Sequence, residues 1–312
     1  MQIFPSLESA AVRGAYLAIG SFDGLHRGHR RLLEQMNRAA AEDQAPAVVL
    51  TFFPHPRAVL GPPEDPPFRY LLSLDERLKL LRRYPLEAVV VQTFDQDFAR
   101  MAAADFLEIL QQRLGLRALW CGPNFSLGYR REGNVAFLTD RSLALGFSVY
   151  VVPPTSDACG PVSSSRIRSA LAEGDVDTAA DLLGRPFELS GTVVHGVGRG
   201  RKLGVPTANL DLWPELAVPA YGVYATRTGA GGRLHHSVTS IGVRPTFENG
   251  AAHPATVETH LLDFDGDLYG AALRVEFDAR LRGEERFADV EKLKWQMAKD
   301  IEDTRRLFGE PA

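Results

Sequence analysis

Ala18-Ile19-Gly20-Ser21-Phe22-Asp23-Gly24-Leu25-His26-Arg27-Gly28-His29 is the stretch on which the reading of the fold turns. An apolar, strand-like run ends in Gly-Ser-Phe-Asp-Gly. Two histidines follow, and Arg30 to Met36 then reads as a helix. Histidines three apart at a helix start lie on one face. Backbone N–H groups at that terminus are unpaired and attract anions. Gly28 removes the side chain that would keep a ligand away. Taken alone, His-x-Gly-His suits a metal pair or a surface turn equally well. Behind a strand and a glycine turn, it suits a nucleotide triphosphate better.

Working outward, the first half alternates short apolar runs with helical patterns. Strands are expected at Tyr16–Ile19, Ala47–Phe52, Ala88–Thr93, Ala118–Cys121 and Ser148–Val152. Helical patterns fall at His29–Ala41, Asp75–Arg83, Ala103–Leu114 and Val135–Leu145. Such alternation implies a parallel sheet covered on both faces. Ligands then bind beyond the carboxyl ends of the strands, where His26 and His29 fall.

Three other segments end at the same rim. Thr51-Phe52-Phe53-Pro54-His55-Pro56 closes the second strand; His55 reads equally as a turn histidine. Cys121-Gly122-Pro123-Asn124 closes the fourth, and Asn124 either caps a turn or bonds a ligand. Ser163-Ser164-Ser165-Arg166-Ile167-Arg168 follows the fifth strand and opens a helix. Serines there are most often caps. With Arg168 they also make a clamp for a triphosphate.

After Gly184-Arg185-Pro186 the texture changes to strand-like runs separated by glycine-rich turns: Phe187–His195, Gly222–Thr228, His236–Gly242, Thr256–Phe264 and Ala272–Arg280. This pattern suits a compact antiparallel barrel. A closing helix is expected over Arg286–Leu307. Its stripe of Phe287, Val290, Leu293, Met297 and Ile301 is read as packing on the barrel. The Gly196–Asn209 segment holds neither a Walker A motif nor a dinucleotide fingerprint. Its glycines free backbone N–H groups to wrap phosphates, Arg199, Arg201 and Lys202 add positive charge, and Thr207 offers a hydroxyl to a hard cation. By composition it reads first as a basic loop. Strand period puts Thr256, Glu258 and His260 on one face. That face is either solvated or catalytic, with Glu258 as a proton acceptor.

Composition bounds the alternatives. The chain has 312 residues, 45% hydrophobic and 24% charged. This is an ordinary globular composition with room for two domains. A net charge of −4, from 39 acidic and 35 basic residues, argues against wholesale nucleic-acid binding. The only cysteines, Cys121 and Cys159, form no CxxC pair. That excludes a zinc knuckle or redox motif and fits a cytoplasmic setting. Neither a signal pattern nor an apolar run of membrane-spanning length is seen.

Taken together, the first-half motifs resemble the nucleotidylyltransferase superfamily. More closely, they resemble the adenylyltransferase module of prokaryotic bifunctional riboflavin kinase/FMN adenylyltransferases. Ser21, Ser165 and Asn124 depart from the commoner residues of that module. In the second half, Gly-Arg-Lys-Leu-Gly-Val-Pro-Thr-Ala-Asn-Leu, Tyr-Gly-Val-Tyr-Ala, Ile-Gly-Val-Arg-Pro-Thr-Phe and Val-Glu-Thr-His-Leu-Leu-Asp-Phe are similar, in order, to the riboflavin kinase module. The resemblance implies an α/β, Rossmann-like nucleotidylyltransferase domain over residues 1–185. A six-stranded antiparallel β-barrel with a terminal helix follows over residues 186–312.

It further implies Mg²⁺, ATP as co-substrate, and riboflavin, FMN and FAD as substrates or products. Catalytic roles fall on Glu258, His26 and His29. ATP contacts fall on Gly20, Phe22, Asp23, Gly28, Asn124, Ser164, Ser165, Arg168, Gly198, Lys202, Thr207 and Asn209. Flavin contacts fall on His55, Pro56, Asn124, Arg244 and Thr246, and the metal falls to Thr207 and Asn209. Small molecules are the expected partners, with neither nucleic acid nor membrane; a homo-oligomer is left open. Two rivals compete: a tRNA-charging enzyme, for which no large tRNA-binding region is seen, and a non-catalytic flavin carrier, which would not need Thr207, Asn209 and Glu258 together.

Overall fold

The structure is a computed structural model, and it describes residues 1–196, 198, 200, 203–243 and 255–310. Backbone contacts divide the chain into two compact units, Met1–Ser164 and Ser165–Ala312.

The first unit is built on a six-stranded parallel sheet: β1 Gln2–Phe4, β2 Tyr16–Ile19, β3 Ala47–Phe53, β4 Ala88–Thr93, β5 Ala118–Cys121 and β6 Ser148–Val151. Their order is β1-β4-β3-β2-β5-β6. The edge strand β1 is three residues long, too short to show in a hydrophobic pattern. Successive side chains of a strand face opposite ways, and both faces are covered. Leu17 and Ile19 pack under the helices Ala103–Leu114 and Val135–Leu145. Tyr16 and Ala18 pack under Arg27–Glu42 and Leu74–Leu81. These helices are α3, α4, α1 and α2 in chain order. In α2, Ser73 and Glu76 cap each other's backbone, the capping box its first turn spells out.

The connections run one way from β2 through β3 to β4, and the other way from β2 to β5. The carboxyl end of β2 is therefore a topological switch point, where loops diverge and leave a crevice.

In the second unit six strands close into an antiparallel barrel: β7 Phe187–Val194, β8 Ala208–Asp211, β9 Gly222–Ala230, β10 Arg233–Val243, β11 Ala255–Leu261 and β12 Ala272–Gly283. The order around it is β7-β8-β11-β10-β9-β12. Strand β8 begins at the end of the segment read from composition as a loop and runs two residues past it. The inner face is not wholly apolar. Thr226, Thr228, Ser237, Thr239 and Thr259 are fully buried and bond to one another at 2.7–3.3 Å. Each hydroxyl both donates and accepts, so the ring meets its own polar needs.

Two helices, α5 Ser164–Glu173 and α6 Val176–Leu183, precede the barrel. Arg280 of β12 donates to Glu173 O at 2.8 Å and to Tyr221 O at 2.9 Å, which ties α5 to the barrel. The contact division falls after Ser164, the first residue of α5, earlier in the chain than Gly184-Arg185-Pro186. The terminal helix α7, Val290–Leu307, begins later than expected and docks differently. Val290 is 54% exposed, and the helix's fully buried residues are Asp300 and Thr304. Asp300 accepts from Arg282 Nε at 3.0 Å and Nη2 at 2.8 Å, and from Gln296 at 2.8 Å. A forked, charge-assisted pair, rather than the apolar stripe alone, fixes this helix.

Candidate active sites

The first site grows out of the turn after β2. Phe22 and Leu25 have φ of 48° and 42°, the left-handed region that bulky residues avoid. They hold it because both side chains are buried in the core beneath the sheet. The turn is strained and anchored at once, as binding turns often are. Gly20 lies against the Phe22 ring: a Cβ there would meet it at 3.4 Å. The Asp23 carboxylate is buried and accepts from Leu71 N at 3.0 Å and Leu72 N at 3.1 Å. Asp23 thus moors the turn to the segment leading into α2.

His26 is the N-cap of α1: its Nδ1 accepts from His29 N at 3.3 Å. That bond puts the proton of a neutral His26 on Nε2. The two imidazoles stack at 3.7 Å, 15° from parallel, and Phe22 lies 5.1 Å from His29. His29 Nδ1 is buried without a hydrogen-bond partner among the described residues. Burial first, then the fields of His26 and Arg77, hold His29 well below the usual histidine value. It is neutral near pH 7. A Cβ on Gly28 would come within 3.2 Å of the His26 ring. Ser164, at the start of α5, donates to Asp23 O at 2.8 Å. Gly20, Phe22, Asp23, His26, Gly28, His29 and Ser164 are therefore one cluster. Ser165 and Arg168 lie on α5 within the second unit.

His55 caps the short helix Pro56–Leu60 through Arg57 N at 3.0 Å, with Pro56 in its first turn. Its ring stacks on Phe68 at 4.2 Å, and its backbone N–H donates to Tyr70 Oη at 2.9 Å. Asn124 is exposed in the turn after β5, across the switch point from the His26 turn.

The second site is on the outer face of the barrel. In β11, Val257, Thr259 and Leu261 point inward, leaving Glu258 and His260 half-buried on the other side. Asn209 of β8 is paired with Glu258 in register. Thr207, two residues earlier, donates to Glu258 Oε2 at 3.1 Å. His260 Nδ1 lies 2.7 Å from Pro206 O; the carbonyl accepts, so Nδ1 carries the proton. The preceding glycines are close fits: a Cβ on Gly196 would sit 2.3 Å from Asn209 Nδ2, and one on Gly200 would sit 2.4 Å from Val205 O. Gly198 has φ of 71° and opens to free space. Lys202, Arg244 and Thr246, with Arg199 and Arg201, lie outside the described residues.

This donor set is all oxygen apart from the amide nitrogen of Asn209, and it fits a hard divalent cation. Among the described residues no group of three or more His, Cys, Asp or Glu side chains could hold a metal ion. Such a cation would therefore complete its shell from phosphate and water.

Two family models match the chain: FAD synthetase over residues 8–166 and riboflavin kinase over residues 183–308. Three relatives carry the name bifunctional riboflavin kinase/FMN adenylyltransferase. The protein from Pseudomonas fluorescens is 39% identical, covering 96% of this chain and 95% of its own. That from Escherichia coli K12 is 36% identical (97% and 96%), and that from Bacillus subtilis 32% (94% and 92%). The chain belongs to the bifunctional riboflavin kinase/FMN adenylyltransferase family. A crystal structure from Streptococcus pneumoniae, described as a macrolide-efflux protein, matches with a TM-score of 0.89 at 31% identity, covering 98% of this chain and 99% of that one. Among the described residues, no helix is long and apolar enough to cross a membrane.

Within this family frame, sequence reasoning missed the residues that hold the named ones in place. Arg77 lies under the first turn, bonded to Thr51, and the roles of Thr51 and Pro206 as hydrogen-bond partners had no signal in the motifs that contain them. Arg77 sits in a helix whose polar residues look like a solvated face, so its burial left no signal.

Proposed function

We propose that the family's two activities reside in the two sites described above, one at the turn after β2 and one on the barrel. Riboflavin is phosphorylated to FMN at the barrel, and FMN is adenylylated to FAD at the turn after β2.

At the barrel, Glu258 takes the proton of the ribityl 5′-hydroxyl as its oxygen attacks the γ-phosphorus of ATP; the bond to the β-phosphate oxygen breaks and ADP leaves. Thr207 orients the carboxylate through the bond at 3.1 Å. Thr207 and Asn209 would hold Mg²⁺, which, when bound, offsets charge on the phosphates. Gly198 and Lys202 complete the ATP cradle, and Arg244 and Thr246 the flavin side.

At the other site, an FMN phosphate oxygen attacks the α-phosphorus of ATP, and pyrophosphate leaves. No protein nucleophile is needed. His26 Nε2 and the neutral His29 donate to oxygens that gain charge in the transition state. Gly20, Phe22, Asp23, Gly28 and Asn124 line the nucleotide, and Ser164, Ser165 and Arg168 steady the leaving phosphates. His55, Pro56 and Asn124 receive the flavin, with the His55–Phe68 stack as a flat platform.

The observation that carries the reading is the Thr207–Glu258 hydrogen bond opposite Asn209, in the same chain as a stacked histidine pair at a helix start. We also place the enzyme in the cytoplasm, the source of its ATP, and leave a homo-oligomer open. The efflux description belongs to the pneumococcal protein; both family matches and all three relatives concern flavin chemistry. Incubation with riboflavin, ATP and Mg²⁺, followed by chromatography, tests the reading. FMN should appear first and FAD after it; a chain that binds flavin and makes neither would be a carrier.

A further inference from the structure

Arg77, in the first half of α2, is fully buried. Its Nη1 donates to Thr51 Oγ1 at 3.1 Å and to Phe52 O at 3.0 Å, at the carboxyl end of β3. Thr51 Oγ1 in turn donates to Ser21 O at 3.1 Å, inside the turn after β2. The cation also attracts Asp23, the carboxylate that moors the same turn to Leu71 and Leu72. Among the described residues, Nε and Nη2 have no hydrogen-bond partner. A buried cation with donors left over is costly. An apolar side chain would fill the space more cheaply if packing were the only task.

We propose that Arg77 is a positioning residue for adenylyl transfer, locking the end of β3 to the turn that presents His26 and His29. The inference rests on the assignment of adenylyl transfer to that turn. The chain of bonds runs Arg77, Thr51, Ser21, and from Ser21 the backbone passes through the strained Phe22 and Leu25 into the His26 cap. Every link is buried or half-buried, so a shift at Arg77 is passed on rather than absorbed. The same charge opposes protonation of His29. Arg77 therefore supports both the place and the neutral state of the imidazole, while lying too deep to touch substrate.

The test uses the full chain with Arg77→Met, Arg77→Lys and Thr51→Val. Calorimetric titration with α,β-methylene ATP, which cannot transfer its adenylyl group, in the presence of FMN counts competent sites, one of the two per chain belonging to the barrel, and kcat for FAD formation is referred to the count at the other. Arg77→Met should lower kcat per competent site by roughly 10–100-fold with KM for FMN little changed, the signature of misplaced groups. Arg77→Lys, which keeps a cation and a donor, should recover most of the loss. Thr51→Val breaks the middle link at constant shape and should lower kcat in the same direction. The ring resonances of His26 and His29 should move in all three variants. A kcat within about twofold of the parent in Arg77→Met, with those resonances unmoved, overturns the proposal. If Arg77→Met yields no competent sites, Thr51→Val decides by the same two readouts. His29→Ala is the companion control. If it leaves FAD formation intact, the assignment beneath the proposal has failed; if it abolishes FAD formation while Arg77→Met and Thr51→Val do not, only the positioning role has.

Discussion

On the proposed assignment, the two sites take the same nucleotide with opposite construction. In the first unit the groups sit on a buried turn, with left-handed residues forced by the core and a carboxylate, Asp23, used to moor backbone. In the proposed reaction the protein supplies donors there and no base. On the barrel, the carboxylate Glu258 is half-buried on an outer strand face, held by strand register and a hydroxyl. The difference follows the nucleophile. An FMN phosphate is already an anion and needs its target's charge stabilised. A ribityl hydroxyl needs its proton removed.

The largest expected effect separates the sites from the barrel side. Glu258→Gln keeps the shape and the contact with Thr207 but cannot take a proton. FMN formation should fall by ~10²–10⁴-fold, while FMN supplied directly still becomes FAD. Near-normal kinase rates would make Glu258 a solvated strand residue and erase the contrast.

His29→Ala makes the converse cut. It removes a donor from a site where donors act alone. A lost donor of this kind costs about 3–4 kcal/mol in the transition state, so FAD formation should fall by orders of magnitude while FMN formation continues. Loss of both activities in a folded variant would mean that the sites are not separate.

How much of this was legible in the sequence also differs between the halves. The parallel sheet announced itself through apolar runs in strand–helix alternation, and the His26 turn through glycines and histidines at a strand end. What could not be read was the support: Arg77 looks like a surface residue of α2, and Asp23 like a ligand rather than a mooring. In the barrel, Glu258 and His260 were placed on one face by strand period, and the structure keeps them there. Strand β8 was hidden because glycines and basic residues precede it, and four residues make a weak pattern. The hydroxyl ring inside the barrel breaks the rule that inward positions are apolar. The closing helix was found, but its anchor is the Arg282–Asp300 pair, which no apolar stripe foretells.

A smaller effect sharpens the comparison at the level of packing. A Cβ on Gly196 would meet Asn209 Nδ2 at 2.3 Å, so Gly196→Ala must push the amide away from Glu258. A displacement of about 1 Å costs up to ~10²-fold in rate; because the Asn209 side chain can turn, roughly tenfold in the kinase step is expected. FAD formation from supplied FMN should be unchanged. An unaffected kinase would show that Asn209 does not act from its present position.

The smallest effect concerns the boundary between the halves. From the sequence, residues 186–312 are expected to phosphorylate riboflavin alone. In the structure α5 and α6 sit with the barrel: Arg280 donates to Glu173 O and Tyr221 O, and Ala220 N donates to Leu171 O at 2.8 Å. Removing both helices strips the Glu173 carbonyl from Arg280 and the Leu171 carbonyl from Ala220 N, and uncovers the apolar face of α6 and its partners on β7 and β12. It leaves Thr207, Asn209 and Glu258 untouched. Fragments 165–312 and 186–312 should therefore both make FMN, the longer one at close to the full-chain rate. The shorter one should show the lower melting temperature, because it loses packing rather than chemistry. The measurement is kinase rate and thermal unfolding on the two fragments side by side. Equal stability would mean that the helices merely rest on the barrel. A longer fragment that folds but makes no FMN would mean that the kinase depends on Met1–Ser164, and the two-site comparison would fail.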